Sequence, residues 1–228
     1  MNSCRTMYLG AAILVLAGLL GACKQQSRPA AATQPSFVAS GTIVAVGDSL
    51  TAGLGVSEED AYPALLEQKL RAAGLYWKVI NAGISGETSS GARARLAWVL
   101  ALKPDIMVIE TGANDGMRGI QPQVLQANLD AILTTLGEKH VTAVLAGMQM
   151  LRNLGPAYTA AFARVYPELA QKHKAILIPF ILEGVAANPA LNQADGIHPT
   201  TEGYRVVTDL VYPRVLDAIA RVRALRTR

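Results

Sequence analysis

Hydrophobic residues along this chain gather into five short runs separated by longer stretches of helical period. Thr42–Gly47, Lys78–Asn81, Asp105–Thr111, Thr142–Gly147 and Ala175–Pro179 are rich in Val, Ile and Leu and predict strands. Between them Leu125, Leu129, Ile132, Leu133 and Leu136 recur at steps of three and four, which places them on one helix face. Tyr62, Leu65, Leu66, Lys69 and Ala73 repeat less cleanly, with Lys69 expected to snorkel. Phe162, Val165, Tyr166 and Leu169 mark a further helix. A last one is expected to start near Thr200, a good N-cap, and to be kinked or split at Pro213. Continuous apolar strands joined by helices imply a parallel sheet with right-handed crossovers, hence a three-layer α/β/α domain over 41–228. In such sheets ligands bind beyond the carboxyl ends of the strands. Chemistry is therefore expected immediately after the strand runs.

The amino terminus does not follow this alternation. Arg5 precedes an apolar stretch, Leu9 to Leu20, of the length found in the core of an export signal. The apolar run from Met7 to Cys23 is shorter than the roughly 20 residues that span a bilayer. Leu20-Gly21-Ala22-Cys23 resembles a bacterial lipoprotein cleavage box, which implies a leader over 1–22 and a lipid-modified Cys23. Ordinary secretory cleavage near Ala22 and an uncleaved anchor are the alternatives. Residues 23–40, rich in Gln, Ser, Ala, Thr and Pro, are expected to form a flexible tether. The expectation is an exported protein on the periplasmic side of a bacterial membrane. Lys24 and Gln25 leave no aspartate beside the lipid site, which points to the outer membrane.

Composition narrows the class further. With 17% charged and 5% aromatic residues, the chain is neither disordered nor an aromatic-rich nucleic-acid binder. Its formal charge of +4 falls to +3 once a leader carrying Arg5 and no acid is removed. Arg221, Arg223, Arg226 and Arg228 supply part of that excess and read as a solvated helix face and tail. Cys4 and Cys23 are the only cysteines, so neither a disulfide framework nor a cysteine zinc site is expected in the mature chain. No cofactor and no metal are called for, and the expected state is a monomer.

Four segments carry the chemistry, and all follow strand runs. They are Gly47-Asp48-Ser49-Leu50, Asn81-Ala82-Gly83-Ile84-Ser85-Gly86-Glu87-Thr88, Gly112-Ala113-Asn114-Asp115-Gly116 and Asp195-Gly196-Ile197-His198-Pro199. Together, in this order, they resemble the blocks of the SGNH, or GDSL, hydrolase family, and the likeness runs from Thr42 to Leu216. It is nearest to the small bacterial periplasmic esterases, thioesterases and lysophospholipases. The resemblance implies a flavodoxin-like fold with a five-stranded parallel sheet and hydrolysis of small-molecule or lipid acyl esters and thioesters. It makes Ser49 the nucleophile, His198 its base and Asp195 the residue that orients the imidazole. It places the backbone N–H groups of Ser49 and Gly86 and the side-chain amide of Asn114 in an oxyanion hole, with Gly83 as the alternative to Gly86. Asp48 and Asp115 are expected to make structural hydrogen bonds, and His140 and His173 to face solvent.

These roles have a physical logic. A serine hydroxyl is a weak nucleophile until a neutral imidazole takes its proton, and that imidazole needs a carboxylate to fix its tautomer. Glycine permits close backbone approach, and asparagine supplies an uncharged donor for a developing oxyanion. In the resembling branch the stretch after the fourth strand is a loop over the acyl chain, which makes Met150, Leu151, Pro156 and Tyr158 substrate-binding candidates; Met148 and Met150 are equally readable as core. Other nucleophile and nucleotide motifs fit poorly. Gly47-Asp48-Ser49-Leu50-Thr51 lacks the last glycine of an α/β-hydrolase elbow, and Gly53-Leu54-Gly55 lacks the third glycine of a dinucleotide loop. Deacetylation of cell-envelope polysaccharide on the same fold is the alternative function.

Overall fold

The computed structural model describes residues 39–150 and 152–227, with nothing stated of the Arg152 side chain. The leader, Cys23, most of the tether and Leu151 lie outside the described residues. In chain order the elements are β1 (Gly41–Gly47), α1 (Ser49–Ala52), α2 (Tyr62–Ala72), β2 (Trp77–Gly83), α3 (Ser89–Ala94), α4 (Leu96–Leu100), β3 (Ile106–Glu110), α5 (Ala113–Met117), α6 (Pro122–Glu138), β4 (Thr142–Ala146), α7 (Pro156–His173), β5 (Ile176–Ile178) and α8 (Thr201–Arg226). Five parallel strands form one sheet in the order β2-β1-β3-β4-β5. The expected α/β fold with a five-stranded parallel sheet is the one observed. The order reverses at β1, which lies between β2 and β3, so a crevice opens above the carboxyl ends of β1 and β3.

Burial explains why the apolar runs became strands. Ile43, Val44, Ala45, Ile106, Met107, Val108 and Ile109 are all fully buried, as central strands covered on both faces require. Strand β2 reaches beyond its predicted four residues because it stays in register with β1 from Gly41↔Trp77 to Gly47↔Gly83. On α6 the predicted face, Leu125, Leu129, Ile132, Leu133 and Leu136, is buried against the core, and so is that of α7. Each such side chain contributes about 1.5–3 kcal/mol through burial.

Three expectations need correction. The buried face of α2 runs through Tyr62, Leu66 and Leu70, with Lys69 and Ala73 beside it. Lys69 reaches across to α8 instead, pairing with Asp209 and lying 4.8 Å from the centre of the Tyr212 ring. Pro213 does not split α8, which begins after an N-cap at Thr200 and continues through to Arg226. A proline inside a helix costs ~3 kcal/mol, and the buried face of Val207, Val211, Val215, Ala218, Ile219 and Val222 outweighs it. Arg221, Arg223 and Arg226 are exposed, yet two of them are also held by the fold rather than by solvent alone. Arg226 bonds Asp105 at 2.7 Å and the Ser40 carbonyl at 2.7 Å, and Arg221 donates to the Lys174 carbonyl at 2.7 Å.

Candidate active site

Strand β1 delivers the chain into a tight turn whose first requirement is a residue without a side chain. A Cβ on Gly47 would stand 2.1 Å from Thr51 Oγ1 and 2.4 Å from Glu110 Oε2. Asp48 then caps α1, its Oδ1 accepting from the Leu50 N–H at 3.0 Å. Ser49 is the first residue of that four-residue helix, and its N–H finds no partner among the described residues.

The segment before α8 brings His198 and Asp195 to the same place. The Ser49 hydroxyl lies 2.8 Å from His198 Nε2, and His198 Nδ1 lies 2.7 Å from Asp195 Oδ2. Asp195 Oδ1 also accepts from the N–H groups of Ile197 and His198, at 2.9 and 3.0 Å. The hydrogen bond from the His198 side chain, backed by these two, pulls the Asp195 carboxyl down to about 2. With Nδ1 donating to a carboxylate, Nε2 is left to accept from the serine. Sequence reading missed the residue that ties this turn down. Gln193 Nε2 donates to the carbonyls of Leu54 and Pro199, at 2.8 and 2.9 Å, fastening the histidine segment beside α1.

From β3, Gly112 at φ +117° turns the chain into α5, a short helix. Asn114 is 8% exposed, and its Nδ2 donates to Asp48 Oδ2 at 3.0 Å, leaving its second amide hydrogen free. Asp115 accepts from the Ser89 N–H at 2.8 Å and its hydroxyl at 2.5 Å, the structural bonding expected of it. Of the two candidate glycines, the Gly83 N–H is spent on Asn81 Oδ1 at 3.0 Å. The Gly86 N–H has no partner among the described residues, and Arg118 clamps the Gly86 carbonyl at 2.7 Å. A partly buried ion pair, Arg95 with Glu87 at 2.7 Å, fastens this turn.

Other residues named from sequence fall as follows. Met148 is buried in the core, whereas Met150 is partly exposed and covers Gly116. Met150 and Pro156 line one concavity of about 520 Å³ with Gln149, Thr159, Ala160 and Ala163. Tyr158 spends its hydroxyl on the Ile120 carbonyl at 2.7 Å. His140 is exposed, but His173 is not a free surface histidine. Its Nε2 meets Asp130 at 2.6 Å, and Lys172, followed by His173, holds the Asp130 carboxyl below the usual range.

Residues 45–206 match the GDSL-like lipase/acylhydrolase family. The chain belongs to that family. It is 42% identical over 173 residues to the esterase TesA of Pseudomonas aeruginosa, covering 75% of this chain and 86% of that protein. It is 37% identical over 172 residues to the thioesterase 1/protease 1/lysophospholipase L1 of Escherichia coli, covering 75% of this chain and 81% of that one. A crystal structure of TesA superposes with a TM-score of 0.75 at 41% identity, over 78% of this chain and 99% of that structure. The protein is thus a serine ester hydrolase of the esterase and thioesterase class, with small-molecule ester substrates.

Proposed function

We propose that Ser49 attacks the acyl carbonyl of carboxylic esters and acyl thioesters, lysophospholipids included, and carries the acyl group as a covalent intermediate. His198 takes the serine proton and passes it to the departing alcohol or thiol. It then activates the water that releases the acid. Asp195 holds the imidazole in the tautomer this needs and stabilises the imidazolium. The N–H groups of Ser49 and Gly86 and the free amide hydrogen of Asn114 receive the charge that develops on the carbonyl oxygen. The observation that carries this reading is the unbroken chain from Ser49 Oγ through His198 to Asp195, at 2.8 and 2.7 Å. The three unspent donors beside it support the oxyanion assignment.

Met150, Leu151, Pro156 and Tyr158 border the acyl chain in this reading, with the concavity beside Met150 as the wall. The enzyme works outside the cytoplasm as a monomer, tethered by a lipid on Cys23 to the outer membrane. Hydrolysis of aryl esters, acyl thioesters and lysophospholipids of graded chain length, set against acetylated polysaccharide, tests the substrate class. Turnover rising with acyl length supports the reading, and activity confined to acetylated sugars overturns it. Intact-mass spectrometry of the mature protein tests the anchor: acylated Cys23 is expected, and an unmodified amino terminus contradicts it.

A further inference from the structure

Behind Ser49 lies a second pair of acids that the proposed reaction leaves without a task. Glu110 closes an otherwise apolar strand, β3, and is fully buried. Its Oε2 accepts from the Thr51 hydroxyl at 2.8 Å and from the Asp48 N–H at 3.3 Å, while Oε1 receives no donor among the described residues. Thr51 in turn meets the Tyr62 hydroxyl at 3.2 Å. The Asp48 carboxyl is 1% exposed and close enough to Glu110, which its own N–H bonds, for each acid to perturb the other's ionisation. Asp48 also takes the Leu50 N–H and the Asn114 amide, one on each oxygen.

Two carboxyl groups this near in a dry site do not both ionise, because two like charges there repel strongly and neither is solvated. A single proton between them converts that repulsion into a charge-assisted hydrogen bond. The surroundings say where it sits. Burial raises Asp48 too, but a backbone donor, an amide donor and the nearby His198 work against that rise and favour its anion. Burial, then the Asp48 charge, push Glu110 well above the ordinary carboxyl range.

We propose that Glu110 is a positioning residue for the hydrolysis: as the neutral acid it donates to Asp48, and through Asp48 it fixes the Asn114 amide behind the Ser49 turn. The inference rests on the oxyanion role given to Asn114. Without Glu110 the Asp48 carboxylate loses one of its donors and is free to rotate, and the amide bonded to it moves too. The effect falls on kcat, because Asn114 acts as charge develops rather than in ground-state binding.

Steady-state hydrolysis of an aryl ester by the full chain tests this with Glu110→Gln, Glu110→Ala, Asn114→Ala and the double alanine variant, thermal unfolding serving as the control for folding. Asn114→Ala is expected to lower kcat about 10²–10³-fold at little-changed KM. Glu110→Ala is expected to lower kcat about 10–10²-fold, also without raising KM, and to cost less than about twofold more when Asn114 is already alanine. Glu110→Gln, whose amide donates where the protonated acid would, is expected to stay within about threefold of wild type. If the alanine variant does not fold, Glu110→Leu keeps the volume and takes its place. A glutamine variant as impaired as alanine overturns the neutral-acid assignment, and full additivity in the double variant overturns the route through Asn114. Both leave the oxyanion hole standing. An Asn114→Ala enzyme with undiminished kcat overturns the oxyanion reading and this inference with it.

Discussion

Asp48 precedes the serine that Asp195 reaches through His198, and the two acids live in opposite environments. Asp48 is buried, and loss of water raises its carboxyl above the ordinary value despite three hydrogen-bonding neighbours. The Asp195 side chain is 43% exposed, and bonds from His198 and the backbone lower it to about 2. The difference separates a floor from a latch. The floor, Asp48 with Glu110, Thr51 and Asn114, is buried and hydrogen-bonded within itself. The latch, Asp195 with His198, is assembled locally over one turn and touches the reaction from the solvent side.

The largest effect should come from Ser49 and the histidine of the latch. Ser49→Ala and His198→Ala are each expected to lower kcat on the order of 10⁴–10⁶-fold, with the double variant little worse than either, since the two act as a unit. Additive losses in steady-state kinetics would separate them and break the proposed pairing.

Next comes stability, where floor and latch should part. Asp48→Ala strands the donors of Leu50 and Asn114 in a buried site, and about 1–3 kcal/mol of folding stability should be lost. Asp195→Ala should cost less than Asp48→Ala at neutral pH, because its carboxyl is exposed to solvent, while reducing activity. Chemical denaturation of both variants measures the contrast, and equal destabilisation contradicts it.

The two halves should also answer pH with opposite sign. Asp195 is lowered from 3.8 to about 2, so its contribution is present above 3.8 and is lost as pH falls through 2. Glu110 is raised, so the folded state holds a proton that the unfolded chain releases near 4.5, and stability falls as pH climbs past that value. Besides Asp48, Glu110 faces the phenols of Tyr62, Tyr166 and Tyr204, all pushed upward by burial and therefore silent in that window. Glu110→Gln is thus expected to gain midpoint temperature relative to wild type as pH rises above 4.5. A constant difference across pH would contradict a raised Glu110.

The smallest effect should lie at the rim. Met150→Ala, beside the concavity after β4, is expected to raise KM for long acyl chains by roughly tenfold or less, with kcat for short aryl esters nearly unchanged. Kinetics across a chain-length series checks this, and a uniform fall in kcat would move Met150 into the floor.

How much of this was legible in the sequence follows the same division. The strands announced themselves as apolar runs. Ser49, Asn114, Asp195 and His198 each follow a strand or precede a helix in short, distinctive phrases, so their positions were readable without coordinates. Glu110 was not, because one acid at the end of an apolar strand has no periodic signature, and its partner Asp48 is 62 residues away. Gln193 fastens to Leu54 across 139 residues, and Arg118 to Gly86 across 32. Local pattern cannot carry such pairings. Pro213 shows the converse error, a local rule correctly stated and then outweighed by the buried face of α8.

The central claim is that His198 activates Ser49 for attack on an acyl carbonyl. A fluorophosphonate probe, followed by peptide mass mapping, tests it most directly, since the reagent traps the serine that acts as nucleophile. One adduct is expected, on Ser49, abolished in His198→Ala. An adduct on Ser85, Ser89 or Ser90, or labelling of Ser49 that persists at full rate without His198, would contradict it.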